Sequence, residues 1–460
     1  MITLILLTIF AIISLTTEML GMRKAATWTT LVGLLAAIGV NVYEWGATDA
    51  IFSNMMITDN FARAFSTVLF GIAAILVLVS PRFFETYPTN RPENYALMLF
   101  SLVGGVMMLA FGNLSMLFLG VEMLSIPMYV LAGSDKQNLL SNEASLKYFL
   151  MGAFASAFLL FGIALVYGAS GTFDLTLLSK YTTTNAATLP PIFLTGILMI
   201  IVAMAFKVSA VPLHFWAPDV YDGSPTLITM FMATIVKIAA FGTFLKLFVI
   251  GFSGAMPQYI GVLAAIAAIT MCVGNFSALF QSSFKRMMAF SGVAHAGYLM
   301  IGILIASASA YSAVLYYSIG YAAATVSAFS VLLLLTFRSH NEEGEAFKGL
   351  AKKHPVLAAV ATIAMLSLAG IPPTAGFVGK YSLFVLAIQN GYVWLAVIGI
   401  LNSLISVMYY LRIVVYMYTG DAPDDKALEI PLAYKIGLFI TTSITLLFGL
   451  MPDLLAKLLG

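Results

Sequence analysis

The sequence predicts an all-α integral membrane protein with about fourteen transmembrane helices, including two inverted five-helix repeats that each contain a broken helix. The 460 residues are 61% hydrophobic and 9% charged, whereas about 25% of residues are charged in typical soluble proteins. Long apolar runs recur along the whole chain, and few ionisable residues interrupt them. A soluble globule of this composition would lack the polar groups needed to cover its surface, so lipid is the predicted solvent for most of the chain.

The composition also excludes several classes of function. A net charge of +2 provides no broad basic face for nucleic acid. Cys272 is the single cysteine, which excludes a disulfide framework or a cysteine-ligated cluster held by this chain alone. The four histidines are not spaced three or four residues apart, as helical metal or haem ligands would be. We therefore expect no metal and no cofactor bound by this chain.

Apolar runs of sufficient length set the number of spans, because a helix needs about 20 apolar residues to cross the hydrocarbon core. The first run begins at Met1 without a basic n-region or a cleavage site, which predicts a retained helix rather than a signal peptide. The predicted spans are 2–20, 27–44, 61–80, 95–112, 114–133, 147–168, 190–211, 226–250, 258–279, 287–306, 310–336, 356–388, 392–418 and 432–451.

The distribution of basic residues predicts the orientation. Most lysines and arginines, such as Lys24 and Lys285, fall in loops after odd-numbered spans, and few, such as Arg63 and Lys180, fall on the other side. The positive-inside rule places the richer loops in the cytoplasm and both termini outside the cytoplasm. Since a missed span would scramble this alternation, the charge bias supports the predicted count independently of hydropathy.

Four charged residues lie well inside apolar spans: Glu122, Lys207, Lys237 and Lys380. Insertion scales make each central lysine unfavourable by about 2.5–3.5 kcal/mol. A structural ion pair with Glu122 would account for one lysine and leave two without an anionic partner. Desolvated lysine can release its proton, whereas arginine stays charged. The pattern therefore predicts a chain of proton-exchanging sites across the membrane.

Two further residues are candidate modulators of these sites. His295 is the only histidine deep in an apolar run, and it fits a hydrogen-bonded core residue and a member of a proton relay equally well. Lys147 lies at the cytoplasmic end of its span, where it can extend to the interface or act on Glu122. The sequence leaves these alternatives open.

Two interrupted spans predict the repeats. Pro212 follows Lys207 in the seventh span, and a Gly-Ile-Pro-Pro segment precedes Lys380 in the twelfth. Paired interrupted helices indicate a transporter built from inverted repeats. Lys207 and Lys380 are 173 residues apart, as are Glu122 and His295, and the five spans between them invert the second copy. The predicted divisions are 1–94 (helices 1–3), 95–250 (first repeat), 258–418 (second repeat) and 432–460 (C-terminal helix).

Around these residues the chain resembles the antiporter-like membrane subunits of respiratory complex I and of Mrp-type cation/proton antiporters. Among them it is most similar to the N-type subunits of NADH-quinone oxidoreductase. With 460 residues, the chain has no C-terminal lateral helix of the kind that extends L-type subunits. Lys380 stands where M-type subunits typically have glutamate. The motifs that carry the resemblance are NLSMLFLGVEMLSIPMYVL, EASLKYFLMGAFASAFLLFG, FKVSAVPLHFWAPDVYDGSPT, SSFKRMMAFSGVAHAGYL and MLSLAGIPPTAGFVGKYSLF, which run through most of 95–420.

The resemblance implies a membrane-arm, proton-translocating subunit of a bacterial NADH-quinone oxidoreductase. Electrons would pass from NADH to quinone through flavin and iron–sulfur clusters in other subunits. Glu122 and Lys207 would form a modulating ion pair, Lys237 would be the central relay, and Lys380 would deliver the proton outward. The implied partners are the lipid bilayer, the M-type antiporter-like subunit, and the small subunits J and K.

Two alternatives belong to other classes of protein. A cation/proton antiporter subunit of the Mrp type would share the same buried charges, so composition does not separate it from the first interpretation. The form of the motifs favours the complex I subunit. A purely structural membrane scaffold is disfavoured because it gives no reason for lysines without anionic partners.

Overall fold

The computed structural model describes residues 2–86, 93–339, 342–420 and 428–454, and helices dominate these ranges. Eleven helices of this described part are long and apolar enough to cross a membrane. The all-helical membrane class is therefore confirmed. Every predicted span coincides with a helix or a helix pair, and the total of fourteen crossings stays a prediction because several of these helices are short.

The first helices form a group that packs on itself and on the helix that follows. An antiparallel hairpin of two three-residue strands, Asp49–Ile51 and Met56–Thr58, joins the second helix to the third. This hairpin had not been predicted, because strands of three residues are too short to show an alternating pattern of apolar and polar residues. The helices are α1 (Ile2–Met19), α2 (Arg23–Tyr43) and α3 (Asn60–Thr86).

The next group corresponds to the predicted first repeat. Its last two helices, with the π-helical turns Met232–Val236 and Leu247–Gly251, make one continuous helical segment. Two short helices, α7 and α9, had not been predicted. The helices are α4 (Asn94–Ala110), α5 (Leu114–Ala132), α6 (Leu139–Ser170), α7 (Leu175–Thr184), α8 (Pro191–Val208), α9 (Trp216–Gly223), α10 (Thr226–Phe231) and α11 (Lys237–Lys246).

The remaining helices cover the predicted second repeat and the C-terminal span. A short helix, α15, lies in the polar connection that follows the longest helix of this group. The helices are α12 (Met256–Leu279), α13 (Phe284–Ile305), α14 (Ala308–Ser339), α15 (Leu350–Lys353), α16 (Pro355–Ala369), α17 (Ala375–Gln389), α18 (Val393–Tyr418) and α19 (Leu432–Leu450).

The two predicted interruptions are present. Ser209 directly follows helix α8 and Gly370 directly follows helix α16, and both residues take the left-handed conformation, with φ of 61° and 82°. Lys207 precedes its break, however, whereas Lys380 follows its own. Because Ser209 and Gly370 are 161 residues apart, the 173-residue separation inferred from the sequence is not a uniform repeat period.

Burial divides the helices into a centre and a periphery. Within an apolar 18-residue stretch of each helix, 89% of the residues are buried in the 226–251 segment, α13 and α14, against 33% in α6 and 28% in α19. The peripheral helices expose apolar side chains such as Phe154 and Leu404, as expected of surfaces that meet lipid or other membrane subunits. The central helices also carry buried polar and charged residues, among them Lys237, Lys285 and His295.

Close packing between helices depends on glycine at specific positions. A Cβ added at Gly104 in α4 would lie 2.1 Å from the backbone nitrogen of Leu124 in α5. Backbone atoms cannot yield as a flexible side chain can. Gly104 therefore fixes the close approach of α4 to the helix that carries Glu122.

Candidate functional site

The structure places the predicted charges inside the helical bundle. Lys207, Lys237 and Lys380 are each 4% exposed, and Glu122 is half-buried. They lie on four different helices, α8, α11, α17 and α5. The lysines are therefore isolated from bulk solvent, and their environment is set by neighbouring side chains and helix ends.

Serine side chains separate Glu122 from Lys207. The Lys207 ammonium donates a hydrogen bond to the Ser125 hydroxyl, and the Ser156 hydroxyl donates to the Glu122 carboxylate. Among the described residues, Glu122 and Lys207 make no contact within 4.0 Å, so the expected ion pair is not in direct contact. Ser125 lies about one turn from Glu122 on the same helix and takes the ammonium instead. The charge of Glu122 still acts on Lys207 across this short separation.

Lys237 has the least conventional environment of the three lysines. It follows directly after the π-helical turn Met232–Val236, a distortion that frequently marks functional sites. Its Nζ has no hydrogen-bond partner within the described part of the chain and lies 5.9 Å from the ring centroid of Tyr221. A Cβ added at Gly292 in α13 would lie 2.5 Å from this Nζ and 3.2 Å from Tyr321 Oη. The missing side chain of Gly292 therefore leaves the space that the ammonium occupies.

His295 lies among the tyrosines near Lys237 and Lys380. Its Nδ1 is 2.6 Å from Tyr317 Oη, and its Nε2 is 3.1 Å from Tyr410 Oη. The ring of Tyr321, whose hydroxyl also lies beside Gly292, is 4.8 Å from the imidazole. Lys380 Nζ lies 4.9 Å from the ring centroid of Tyr298, and that ring centroid is 5.9 Å from the imidazole. The histidine is thus hydrogen-bonded in the core and also close to both lysines, so its two predicted descriptions are compatible.

Lys380 binds the end of a broken helix. Its Nζ donates to the carbonyls of Leu368 and Ala369, at 3.1 and 2.9 Å, and to Ser403 Oγ at 3.0 Å. The two carbonyls belong to the last turn of α16 and lack helical partners because the helix ends at Gly370. The negative end of the helix dipole favours a cation there. The break therefore creates the site that holds the ammonium.

Tyrosine and asparagine side chains link the buried groups. These side chains had not been predicted as part of the site. Aromatic residues at helical spacing are usually core residues, so only the local repetition of tyrosine could have drawn attention to them. One network runs from Tyr409 Oη to Asn275 at 3.0 Å and from Asn275 Nδ2 to Tyr298 Oη at 3.1 Å. The buried tyrosines near the lysines are Tyr129, Tyr221, Tyr298, Tyr317, Tyr321 and Tyr410.

Lys147 belongs to a different cluster, at the predicted cytoplasmic end. Its Nζ is 2.6 Å from Glu143 and 2.7 Å from Asp219, and Arg286 of α13 contacts the same aspartate at 2.8 Å. Burial raises the pKa of Asp219, but the hydrogen bonds from Lys147 and Arg286 outweigh that effect and lower it. Lys147 therefore joins α6 to α9 through Asp219 and makes no ion pair with Glu122 among the described residues.

No group of three or more histidine, cysteine or acidic residues suited to a metal ion occurs in the described ranges. Apolar helices long enough to cross a membrane, two broken helices and three buried lysines are the features of an antiporter-like membrane protein. A family model described as NADH:quinone oxidoreductase/Mrp antiporter, TM, matches residues 112–406, which is more than half of the chain. The chain belongs to this family.

Relatives and solved structures agree with that assignment. NADH-quinone oxidoreductase subunit N of Flavobacterium psychrophilum is 40% identical, covering 99% of this chain and 100% of the relative. The protein of the same name from Flavobacterium johnsoniae is 41% identical, with both chains covered in full. A chain in respiratory complex I from Thermus thermophilus with bound aureothin has a TM-score of 0.85 at 32% identity, covering 100% and 99% of the two chains.

A more distant structure shares only the fold. A chain of the Mrp complex from Dietzia has a TM-score of 0.83 at 22% identity, covering 99% of this chain and 96% of that one. The two relatives that match at 40% and 41% identity are both named NADH-quinone oxidoreductase subunit N, as the form of the sequence motifs had indicated.

Proposed function

We propose that this chain is the subunit N of a bacterial NADH-quinone oxidoreductase and translocates protons through Glu122, Lys207, Lys237 and Lys380. The observation that carries the proposal is the burial of three lysines within the helical bundle, with His295 and its neighbouring tyrosines close to the last two. Full-length similarity to relatives named subunit N supports the assignment of the complex.

The environments of the lysines suit proton exchange. Transferring an ammonium from water into a low-dielectric interior is costly unless partners compensate for the lost hydration. Lys237 has neither an anionic partner nor a hydrogen bond among the described residues, so nearby charges decide whether it holds its proton. His295 and the tyrosine hydroxyls around it both donate and accept hydrogen bonds, as a proton relay toward Lys380 requires.

Movement of Glu122 relative to Lys207 would control when Lys207 releases its proton. In this structure the carboxylate is held by Ser156 and the ammonium of Lys207 by Ser125. Direct contact of two unit charges at about 4 Å is worth about 4 kcal/mol at an effective dielectric constant of 20. Moving one charge against 100 mV costs about 2.3 kcal/mol. The free energy of making and breaking the Glu122–Lys207 contact is thus larger than the cost of moving a proton against 100 mV, so this movement can drive a proton onward.

Matched helix lengths support the proposal of two inverted repeats within fourteen spans. Helices α6 and α14 each contain 32 residues, and each precedes a broken helix. The helical segments that follow the breaks, 226–251 and 393–418, each contain 26 residues. In this arrangement both termini lie on the periplasmic side of the bacterial cytoplasmic membrane. The chain would contact the M-type subunit and subunits J and K, while flavin, iron–sulfur clusters and quinone belong to the rest of the complex.

Purification and mutation test the proposal together. An affinity tag on this chain should recover peripheral flavin and iron–sulfur subunits with NADH:quinone reductase activity, and the complex should pump protons in liposomes. Lys237→Ala and Glu122→Ala should each strongly reduce coupled activity in an assembled complex, while Lys180→Ala, on the exposed side of α7, should not. Wild-type proton yield in both variants would refute the assigned roles. Recovery with Mrp subunits and cation/proton exchange without NADH would favour the alternative.

A further inference from the structure

A second charged cluster holds the predicted cytoplasmic start of the helix that leads to Lys237. Lys285 of α13, which is 2% exposed, donates to Glu342 Oε2 at 2.9 Å and to the Ser224 carbonyl at 2.8 Å. Thr226, the first residue of α10, donates its hydroxyl to Glu342 Oε1. Glu342 thus ties the beginning of α10 to α13.

Glu342 lies at the boundary between solvent and interior. Its side chain is 29% exposed, whereas the side chain of Lys285 beside it is 3% exposed. A carboxylate in this position can exchange protons with water on one side while it contacts buried groups on the other. The predicted topology puts the solvent side in the cytoplasm.

Unpaired polar groups lie between this cluster and Lys237. In the described part of the chain, Ser224 Oγ, Tyr221 Oη and Lys237 Nζ are buried without hydrogen-bond partners. Ser224 is bonded through its carbonyl to Lys285, and the Tyr221 ring lies 5.9 Å from Lys237 Nζ. Buried polar groups in proteins are nearly always hydrogen-bonded, often to internal water. These groups therefore mark a polar route through an otherwise apolar segment.

The length of the route is short. Lys237 lies eleven residues after Thr226 in the same helical segment, which corresponds to roughly 16 Å along the helix axis. Ser224 and Tyr221 precede that segment and pack beside it, and Thr229 donates its hydroxyl back to the Tyr221 carbonyl at 2.8 Å. A few hydrogen-bonded steps would span this distance.

We propose that Glu342 is the cytoplasmic proton-entry residue for Lys237, with Lys285 as the residue that positions it; this inference rests on the proposed function. The Glu342 carboxylate takes a proton from cytoplasmic water and becomes a neutral acid, which weakens its attraction to the Lys285 ammonium. The proton then passes along the groups at Ser224 and Tyr221 to a neutral Lys237. The carboxylate is thereby regenerated and returns to Lys285.

The test compares two glutamates in one loop of the whole complex. Glu342→Gln keeps the size and one acceptor oxygen but removes the titratable group. The matched control, Glu345→Gln, removes the same charge three residues away, where the side chain is 58% exposed and pairs with Lys348. We expect Glu342→Gln to reduce NADH-driven proton translocation about tenfold or more. A positioned acid typically contributes roughly 10²–10⁴-fold to a rate, and the expected loss is smaller because water can partly replace the Glu342 carboxylate. Glu345→Gln should leave it unchanged.

Chemical rescue separates proton entry from a structural role. Azide, a small weak acid, should restore much of the rate in Glu342→Gln, and Glu342→Asp should retain most of it. A slow Glu342→Gln complex without azide rescue, or one as fast as Glu345→Gln, would overturn the inference. Lys237→Ala, measured in parallel, distinguishes failure of this inference from failure of the proposed function. If it is impaired while Glu342→Gln is not, only this inference fails, and if it is unimpaired, the proposed function itself fails.

Discussion

Gly292→Ala perturbs the central lysine without changing it. The added Cβ would lie 2.5 Å from Lys237 Nζ, and ordinary van der Waals separations are about 3.5–4.0 Å. The ammonium must therefore move by about 1 Å. The same Cβ is 3.2 Å from Tyr321 Oη, so the substitution also crowds the tyrosine hydroxyl.

The size of the effect follows from that displacement. A misplacement of about 1 Å in a reacting group can cost about 10²-fold in rate. We expect a loss of tenfold or more in NADH-driven proton translocation for Gly292→Ala. The helix itself should not be weakened, because alanine is a better helix former than glycine by about 1 kcal/mol.

The assay is proton uptake by liposomes that contain the intact complex, with NADH oxidation by the peripheral subunits as the measure of assembly. Gly261→Ala, in the neighbouring helix α12, is the matched control, since a Cβ there meets nothing within 4 Å. Wild-type pumping by the Gly292→Ala complex would refute the claim that this space serves Lys237. Equal losses in both variants would show that the effect is not specific to the site.

Three other substitutions probe packing, helix-end binding and the cytoplasmic cluster. Gly104→Ala should prevent assembly, detected as loss of the chain from purified membranes, because its Cβ would lie 2.1 Å from a backbone nitrogen. Ser403→Ala should lower coupled activity modestly, about two- to tenfold, as for the loss of one ordinary hydrogen bond of about 0.5–1.5 kcal/mol, because Lys380 keeps its two carbonyl partners. The pKa of Asp219 is lowered in the folded chain, since hydrogen bonds from Lys147 and Arg286 outweigh burial. Its stabilising contribution is therefore present above its unfolded pKa and is lost as the pH falls through the lower folded value, so Asp219→Asn should reduce thermal stability at pH 7 more than in acid.

The spans and the lysines could be predicted because the bilayer imposes strong rules on sequence. Helix length follows from membrane thickness, and an ionisable residue inside an apolar run is too costly to retain without a function. Lys207, Lys237 and Lys380 are buried as these rules predict. The breaks were visible because proline and glycine interrupt helices in a way that composition reveals.

The partners of the buried charges could not be predicted, since they come from residues distant in sequence. Ser125 displaces the expected Glu122 contact with Lys207, and only the packing of α5 on α8 shows it. Lys380 binds main-chain carbonyls, which carry no side-chain signal. The 173-residue spacing of Lys207 and Lys380 is not the spacing of the two helix breaks, because Lys207 precedes its break and Lys380 follows its own.

Replacing Lys237 with arginine distinguishes proton exchange by this residue from a fixed positive charge. Arginine keeps the positive charge and the long side chain but does not release its proton in proteins. If Lys237 exchanges protons, the Lys237→Arg complex should assemble, retain NADH oxidation by its peripheral subunits and lose coupled proton translocation to the same extent as Lys237→Ala. If Lys237→Arg pumps protons at the wild-type ratio to electrons, the lysine supplies only a fixed charge, and the proposed relay is contradicted.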